Sequence, residues 1–431
     1  MRIYLDSVGC RLNQSEIENY ARQFRAAGHS LVPDPVDADL VVVNTCAVTA
    51  AAASDSRQKI RQASRTGAGE IVVTGCWSSH DPLTAASLPK VSRVIPNSSK
   101  DQLVPQILDI PLEDLNLNIV SRETIPGSRR RTRAFIKVQD GCDNHCTFCI
   151  TTNLRGPARS RSIPEVLADI NSCFNDLPDD PNNTGEIVLT GVHLGSWGQD
   201  LSPPTHLREL VETILRRTET PRLRLSSLEP WDLDPSFFSL WDDNRLCRHL
   251  HLPLQSGCKA TLRRMARKNT PESFAELVDA ARTAIPDVAI TTDIIVGFPG
   301  ESESEFTESL TFVKWMEFSG GHVFTYSSRH GTAASRMPNH VPMTVRKERN
   351  AVMRACIGQS TIRYQRKFLG KVMTVLWENS IQTDQNSWVL NGLTDNYLRV
   401  HSIAPKDLWN RSTSLRLTTL TDIGYFGRIA R

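Results

Sequence analysis

Three short, almost unbroken apolar runs, Ile3–Val8, Asp39–Thr45 and Glu70–Gly75, predict buried parallel strands, since a strand covered on both faces loses the alternation of a half-exposed one. Helices fit between them. Ser15-Glu-Ile-Glu18 has the form of a capping box and predicts a helix that ends near Gly28, and the alanine-rich stretch Thr49–Ser64 predicts a second. The alternation runs to about Asn97, and the stretch from there to Arg133 leaves room for one more helix. An α/β domain with an open, flavodoxin-like parallel sheet is expected, with ligands beyond the carboxyl ends of its strands.

A second strand–helix series starts at Ala134. Strands are predicted at Ala134–Gln139, Glu186–Thr190, Arg222–Ser226, His249–Leu254, Ala289–Val296 and His322–Tyr326, and Ser162-Ile-Pro-Glu165 and Thr270-Pro-Glu272 open two of the helices between them. Six repeats predict an incomplete parallel barrel, a partial (β/α)6 barrel, whose chemistry sits at the C-terminal strand ends. After Pro342 a charged connector reads as helical, and from about Gln365 short alternating segments take over. Lys371–Trp377, Ser387–Leu390 and Tyr397–Val400 read as strands, with turns around Asn379 and Asn391-Gly392, which predicts a small all-β barrel. The expected domains are 1–120, an Arg-rich linker 121–133, 134–345, a helical connector 346–364 and 365–431.

Composition fits a large enzyme. A chain of 431 residues holds two or three domains at ~100–200 residues each. No run of ~18 apolar residues predicts a membrane span. Met1-Arg-Ile-Tyr-Leu-Asp6 enters a strand directly where a signal peptide would have an apolar stretch and cleavage site, so a cytoplasmic location is expected. Ten cysteines are too sparse for a disulfide scaffold and fit metal chemistry in a reducing compartment. A net charge of +3 neither requires nor excludes a nucleic acid partner. Locally, Arg129, Arg130, Arg131 and Arg133 mark a basic joint that reads either as a solvated linker or as a holder of RNA phosphates. From Arg399 onward, Arg399, Lys406, Arg411, Arg416, Arg428 and Arg431 face only Asp407 and Asp422, with Trp388, Tyr397, Trp409, Tyr425 and Phe426 interleaved. That pattern fits an RNA-binding face and equally a small core with a charged exterior.

Two cysteine sets carry the chemistry. Gly141-Cys-Asp-Asn-His-Cys-Thr-Phe-Cys-Ile150 places Cys142, Cys146 and Cys149 in a Cx3Cx2C spacing. Three thiolates leave one iron of a four-iron cube open to a small molecule, whereas clusters are commonly held by four, and zinc sites favour paired CxxC spacings. Cys10, Cys46 and Cys76 each follow one of the first three predicted strands, so their thiols should converge on one rim. Cys173, Cys247, Cys258 and Cys356 lie outside both sets and read as structural thiols.

These motifs, in this order, resemble the methylthiotransferase branch of the radical S-adenosylmethionine (SAM) enzymes over essentially the whole chain. The N-terminal triplet resembles the auxiliary-cluster domain, Cys142/Cys146/Cys149 the radical SAM triplet, and the last module a TRAM domain. Val8-Gly-Cys-Arg-Leu-Asn-Gln-Ser-Glu16, Leu189-Thr-Gly-Val-His-Leu-Gly195 and Leu225-Ser-Ser-Leu-Glu-Pro230 resemble the enzymes that act on N6-threonylcarbamoyladenosine in tRNA. Those acting on isopentenyladenosine or on a ribosomal protein aspartate are the nearer alternatives, and a noncatalytic iron–sulfur RNA-binding protein is a more distant one. Thr151-Thr-Asn-Leu154 departs from the apolar stretch expected after the triplet, and the terminal module is short.

The resemblance implies two [4Fe-4S] clusters, SAM, a tRNA substrate and a reducing protein such as flavodoxin or ferredoxin; it leaves the sulfur donor and the oligomeric state open. It further implies that SAM chelates the open iron and is cleaved to methionine and a 5′-deoxyadenosyl radical. The radical removes the hydrogen at C2 of the adenine, and the second cluster supplies a sulfur methylated by another SAM. Phe148, Thr190, Gly191, Ser226, Glu229 and Gln255 are the SAM contacts implied, and the Ile295-Val-Gly-Phe-Pro-Gly300 turn ends a strand on the same rim. Because every such residue lies upstream of Gln365, removing Gln365–Arg431 is expected to leave SAM cleavage intact.

Overall fold

The three apolar runs form strands at the positions their patterning indicates: β1 (Arg2–Ser7), β3 (Leu40–Thr45) and β4 (Glu70–Gly75). With β2 (Ser30–Leu31) and β5 (Val91–Ile95) they make a parallel sheet of order β2-β1-β3-β4-β5, the doubly wound order of flavodoxin-like domains. Alternate residues serve opposite faces. Ile3, Leu5, Val42 and Val72 pack with Ile17, Tyr20 and Phe24 of α1 (Arg11–Ala26), while Val41, Val43, Ile71 and Val73 pack with Ile60 of α2 (Ala50–Arg65) and Trp77 of α3 (Cys76–His80). Short helices α4 (Pro82–Ala86) and α5 (Leu103–Leu108) complete the layers.

The computed structural model describes every residue except 68, 116–124, 128–130, 175–183, 385–386 and 430–431. It divides into two units, Met1–Asn144 with Ile150–Pro178 and Thr190–Val192, and His145–Cys149 with Asp179–Leu189 and His193–Arg431. Arg129, Arg130 and Arg431 lie outside the described residues. Arg131 bonds Gln14 and Glu18 on α1.

The capping box expected at Ser15 does not form. The chain reverses at Gly9 (φ +105°), and Cys10, extended at φ −78° and ψ 171°, is the N-cap of α1. Ser15 therefore lies inside the helix, where its Oγ accepts the Lys137 N–H of β6 (Arg133–Lys137) at 3.1 Å. Glu16 on the same face enters a fully buried ionic cluster. Lys100 Nζ lies 2.6 Å from Glu16 and 2.5 Å from Asp140, and Arg155 bridges the same two carboxylates at 3.1 and 2.9 Å. Asp140 sits in β7 (Gln139–Asp140), separate from β6 where one strand Ala134–Gln139 was expected, and Arg155 ends α6 (Thr151–Arg155). The pair β7 and β8 (Arg159–Ser160) is antiparallel, and α7 (Ile163–Asn171) starts on the expected Ser162–Glu165 capping box.

That cluster sets an acid limit on stability. Burial alone would push the Glu16 carboxyl up, but Lys100, Arg155 and Lys137 outweigh it and hold it down at about 2, from an ordinary 4.5. A carboxyl depressed in the folded state stabilises above its unfolded pKa, and the contribution is lost as pH falls through the folded value. Between about pH 4.5 and 2 the stability of the wild-type protein should fall more steeply than that of Glu16→Gln, by up to about 1.4 kcal/mol per pH unit. Urea titrations across that window measure both slopes, and equal slopes would contradict the assignment.

Further along, β9 (Glu186–Thr190) and β10 (Leu223–Leu225) pair in parallel, and so do β11 (His249–His251), β12 (Ala289–Val296) and β13 (Gly320–Thr325). Isolated bridges Leu223–Leu246 and Ser227–His251 link the two sets. Helices α8 (Leu207–Arg217), α9 (Lys259–Arg264), α10 (Pro271–Ala284, capped by Thr270 as expected) and α11 (Glu303–Met316) alternate with the strands. β10 and β11 are shorter than their apolar runs. In the longer of these, Pro253, which has no N–H to donate, interrupts the ladder past His251, and the left-handed Gln255 (φ +69°) rejoins β12 in an isolated bridge to Ile294.

The connector is one long helix, α12 (Met343–Arg366), whose Tyr364, with Phe368 just beyond, joins Ala289 and the interior of the C-terminal module in a single core. That module is a closed barrel of order β14-β15-β16-β18-β17, with β14 (Val372–Asp384), β15 (Ser387–Thr394), β16 (Arg399–Ala404), β17 (Ser412–Thr421) and β18 (Gly424–Ile429). The turns expected at Asn379 and Asn391-Gly392 are absent. Both segments run within strands and Asn379 faces Asn391, because a bulge after Trp377 absorbs the irregularity and Gly392 makes room for the Trp377 ring, 2.8 Å from where its Cβ would stand. The interleaved aromatic residues divide between core and surface. Tyr425 is fully buried and Tyr397 stacks on His249 at 4.3 Å, Trp388 and Trp409 are half-buried, and Phe426 is exposed, alongside exposed Arg399, Lys406, Arg411, Arg416 and Arg428.

Candidate active site

In a sheet of order 2-1-3-4-5 the ligand crevice opens where the winding reverses, between β1 and β3. Cys10 follows β1, Cys46 follows β3 directly, and Cys76 is the first residue after β4. The chain leaves no room for a side chain beside them. A Cβ on Gly9 would fall 2.5 Å from Cys46 Sγ, and one on Gly75 (φ +97°) would fall 2.3 Å from the Thr45 carbonyl. Amides hold the rim: Asn13 Nδ2 donates to the Val8 and Thr45 carbonyls at 2.8 and 3.0 Å, and Asn97 Nδ2 donates to Cys76 Sγ at 3.5 Å. Arg155 reaches out of the ionic cluster to Asn13 Oδ1 at 2.9 Å. Burial pushes the Cys46 thiol up to about 11, so binding a metal there releases its proton.

The second thiol set spans the chain position at which the units divide. Cys142, in the first, donates its N–H to Gly156 and accepts the Asn144 N–H on Sγ at 3.4 Å. Cys146 and Cys149, in the second, are joined by a turn bond of 3.0 Å from the Cys149 N–H to the Cys146 carbonyl. Arg267 lies beside them. Its guanidinium stands 3.9 Å from Cys146 Sγ, bonds Glu229 Oε2 and the Pro253 carbonyl at 2.7 Å each, and covers the Trp231 ring at 4.4 Å. Burial raises the Cys146 thiol and the Arg267 charge opposes that rise.

The remaining expected contacts are partly gathered here. Glu229 is held by Arg267, Ser226 follows β10 with its hydroxyl buried and unbonded, and Gln255 takes the left-handed conformation that marks constrained sites. Phe148 meets Phe298 edge-on at 6.5 Å. Thr190 and Gly191 fall in the first unit, Thr190 buried at the end of β9. Sequence reasoning missed Arg267, masked by the run Arg263-Arg264-Met265-Ala266-Arg267-Lys268, which reads as a solvated face. It also missed the buried His193–Asp232 contact of 2.5 Å, for which Gly195 makes room. The signal available was that His193 lies in one family motif and Asp232 just beyond another.

Among the described residues no three His, Cys, Asp or Glu side chains form a set that could hold a single metal ion. Thiolates on three different irons of a cube stand farther apart than ligands of one ion. Free thiols without a carboxylate in the donor set, amide and guanidinium groups aimed at sulfur, and glycines where the backbone must approach closely fit iron–sulfur ligation.

A parallel α/β core with a Cx3Cx2C loop beside it defines the radical SAM class, and the family described as "Radical SAM superfamily" matches residues 136–313. "Uncharacterized protein family UPF0004" matches residues 2–95. The chain is 34% identical to the threonylcarbamoyladenosine tRNA methylthiotransferase MtaB of Bacillus subtilis, over 95% of this chain and 92% of that protein. It is 37% identical to the MtaB of Thermotoga maritima over 92% and 90%, and 30% identical to the tRNA-2-methylthio-N(6)-dimethylallyladenosine synthase of Geobacillus thermodenitrificans over 97% and 81%. Among solved structures, the radical SAM methyltransferase TsrM of Kitasatospora setae shares the fold, with a TM-score of 0.55 at 14% identity over 78% of this chain and 77% of that one. The chain belongs to the MtaB-type radical SAM methylthiotransferases. Membership carries an iron–sulfur cluster and SAM. No helix among the described residues is long and apolar enough to cross a membrane.

Proposed function

We propose that this protein transfers a methylthio group to C2 of N6-threonylcarbamoyladenosine at position 37 of tRNA, in the cytoplasm, using two [4Fe-4S] clusters. The observation that carries the reading is the second thiol set, Cys10, Cys46 and Cys76, at the crevice of its own sheet, in a chain whose relatives include two named for that reaction.

Cys142, Cys146 and Cys149 would hold the cluster that binds SAM, and that cluster with SAM supplies a 5′-deoxyadenosyl radical once a protein such as flavodoxin or ferredoxin delivers an electron. Arg267 opposes charge at Cys146 and fixes Glu229, whose carboxylate would accept from a ribose hydroxyl or the amino group of SAM. Ser226 has an unused hydroxyl that would serve the same ligand, and Gln255, the backbone of Thr190-Gly191 and the Phe148 ring would supply further contacts to it. Cys10, Cys46 and Cys76 hold the sulfur-bearing cluster.

Mass spectrometry of tRNA nucleosides from a deletion strain tests the reading. The 2-methylthio derivative of N6-threonylcarbamoyladenosine should disappear and the unthiolated nucleoside should accumulate. Loss of the methylthiolated isopentenyl nucleoside instead would reassign the substrate, and an unchanged nucleoside profile would reject tRNA as the target.

A further inference from the structure

A groove of about 990 Å³ runs along the free edge of β13, between α12 and the β17–β18 end of the C-terminal barrel. Its wall carries His322 and Phe324, both on one face of the strand and both exposed, with ring centres 6.2 Å apart and planes tilted by 43°. Across it stand Arg354 and Arg366 of α12, both exposed, and neither has a carboxylate within ion-pair distance among the described residues. Asp422 is the sole carboxylate in the lining. The groove thus combines two unneutralised guanidiniums, a pair of bare rings and a row of hydroxyls at Thr418, Thr419 and Thr421.

The direction of the groove matters as much as its chemistry. Its lower end is the barrel. At its upper end, Phe324 is two residues from Tyr326, whose ring meets Phe298 edge-on at 5.3 Å; Phe298 in turn meets Phe148, next to Cys149, at 6.5 Å. A strand of nucleic acid lying in the groove would therefore pass from the barrel toward the cysteine loop along the C-terminal direction of β13, the direction in which chemistry lies in a parallel α/β core.

We propose that this groove binds the single-stranded loop of the RNA substrate, with unpaired bases stacked on His322 and Phe324 and backbone phosphates on Arg354 and Arg366. Guanidiniums facing the backbone and aromatic rings facing the bases are the two elements that single-stranded nucleic acid needs, since every base has a stackable face and every nucleotide a phosphate. The proposal rests on tRNA being the substrate and says where its loop lies.

The test is the affinity of the holoenzyme for an RNA hairpin of anticodon stem-loop sequence, measured by fluorescence anisotropy from low to high salt. Phe324→Ala should weaken binding about 5- to 100-fold with little change in salt slope, and Phe324→Trp should restore it. Arg354→Gln with Arg366→Gln should lower the slope of log affinity against log salt by about 0.7 per lost charge. Iron content and melting temperature equal to wild type keep misfolding out of the comparison. Wild-type protein that fails to bind the hairpin would remove the tRNA reading and the groove with it. Wild-type binding that all these variants match would overturn the groove alone. So would variants that bind the hairpin normally but lose reduction by flavodoxin, since the groove would then receive a protein.

Discussion

Cys46→Ala protein should go on forming 5′-deoxyadenosine from SAM while methylthiolated nucleoside falls to background. The physical basis is that the two thiol sets lie on different loops: Cys46 follows β3, its N–H donating to the Ser56 hydroxyl at 3.0 Å and its thiol crowded by Gly9, whereas Cys142, Cys146 and Cys149 share the loop before α6, with Arg267 beside Cys146 and bonded to Glu229. Removing one thiol from the β1/β3 crevice leaves the SAM-binding groups intact, so hydrogen abstraction continues with no sulfur to transfer. Cys146→Ala should abolish both products. Iron analysis supplies an independent check, since protein with Cys142, Cys146 and Cys149 all changed to alanine should keep about half its iron, as expected when two cubes of equal iron content bind independently. If Cys46→Ala made methylthiolated nucleoside at the wild-type rate, Cys10, Cys46 and Cys76 would have no part in sulfur transfer.

The parts of the fold legible in the sequence were those fixed by local pattern. Runs such as Leu40–Thr45, buried at every position, announce a central parallel strand, and because Cys10, Cys46 and Cys76 lie beside such runs, their convergence on one rim follows from topology. The parts that were not legible depend on partners far along the chain. Ser15 looks like an N-cap until Lys137 N–H takes its hydroxyl, and Glu16 looks like a capping residue until Lys100 and Arg155 surround it. Asn391-Gly392 looks like a hairpin turn until Trp377 needs the space that a side chain would fill. Arg267 is the clearest case at the site: nothing within its basic run distinguishes the guanidinium that faces Cys146 from that of Arg263, which faces water, or that of Arg264, which pairs with Glu305.

The C-terminal barrel illustrates the same limit with a larger consequence, because its separability, expected from the sequence, is not what the packing supports. Arg224 on β10 has no exposed side-chain surface. It pairs with Glu186 at 2.7 and 3.0 Å, donates to the barrel carbonyls of Thr394 and Asp395 at 3.3 and 3.0 Å, and lies over Tyr397 at 5.1 Å. Arg222 donates to the Leu393 carbonyl, Arg248 pairs with Asp395 at 2.6 Å, and Tyr364 and Ala289 share the barrel's apolar core. Removing Gln365–Arg431 would open that core and strip three arginines of their barrel partners, so the truncated chain should lose its cooperative fold and its SAM cleavage together. Arg224→Met should cost about 3–5 kcal/mol in urea unfolding, because it leaves Glu186 buried with half its partners. Changing both residues, Arg224→Met with Glu186→Met, should recover only part of that loss: a buried ion pair replaced by apolar groups is often close to neutral, but Arg222, 2.9 Å from Glu186, then loses its own carboxylate. A truncation that unfolds cooperatively at the wild-type midpoint and cleaves SAM at the wild-type rate would show that the barrel is an appendage and that its contacts with Arg222, Arg224 and Arg248 contribute nothing to the core.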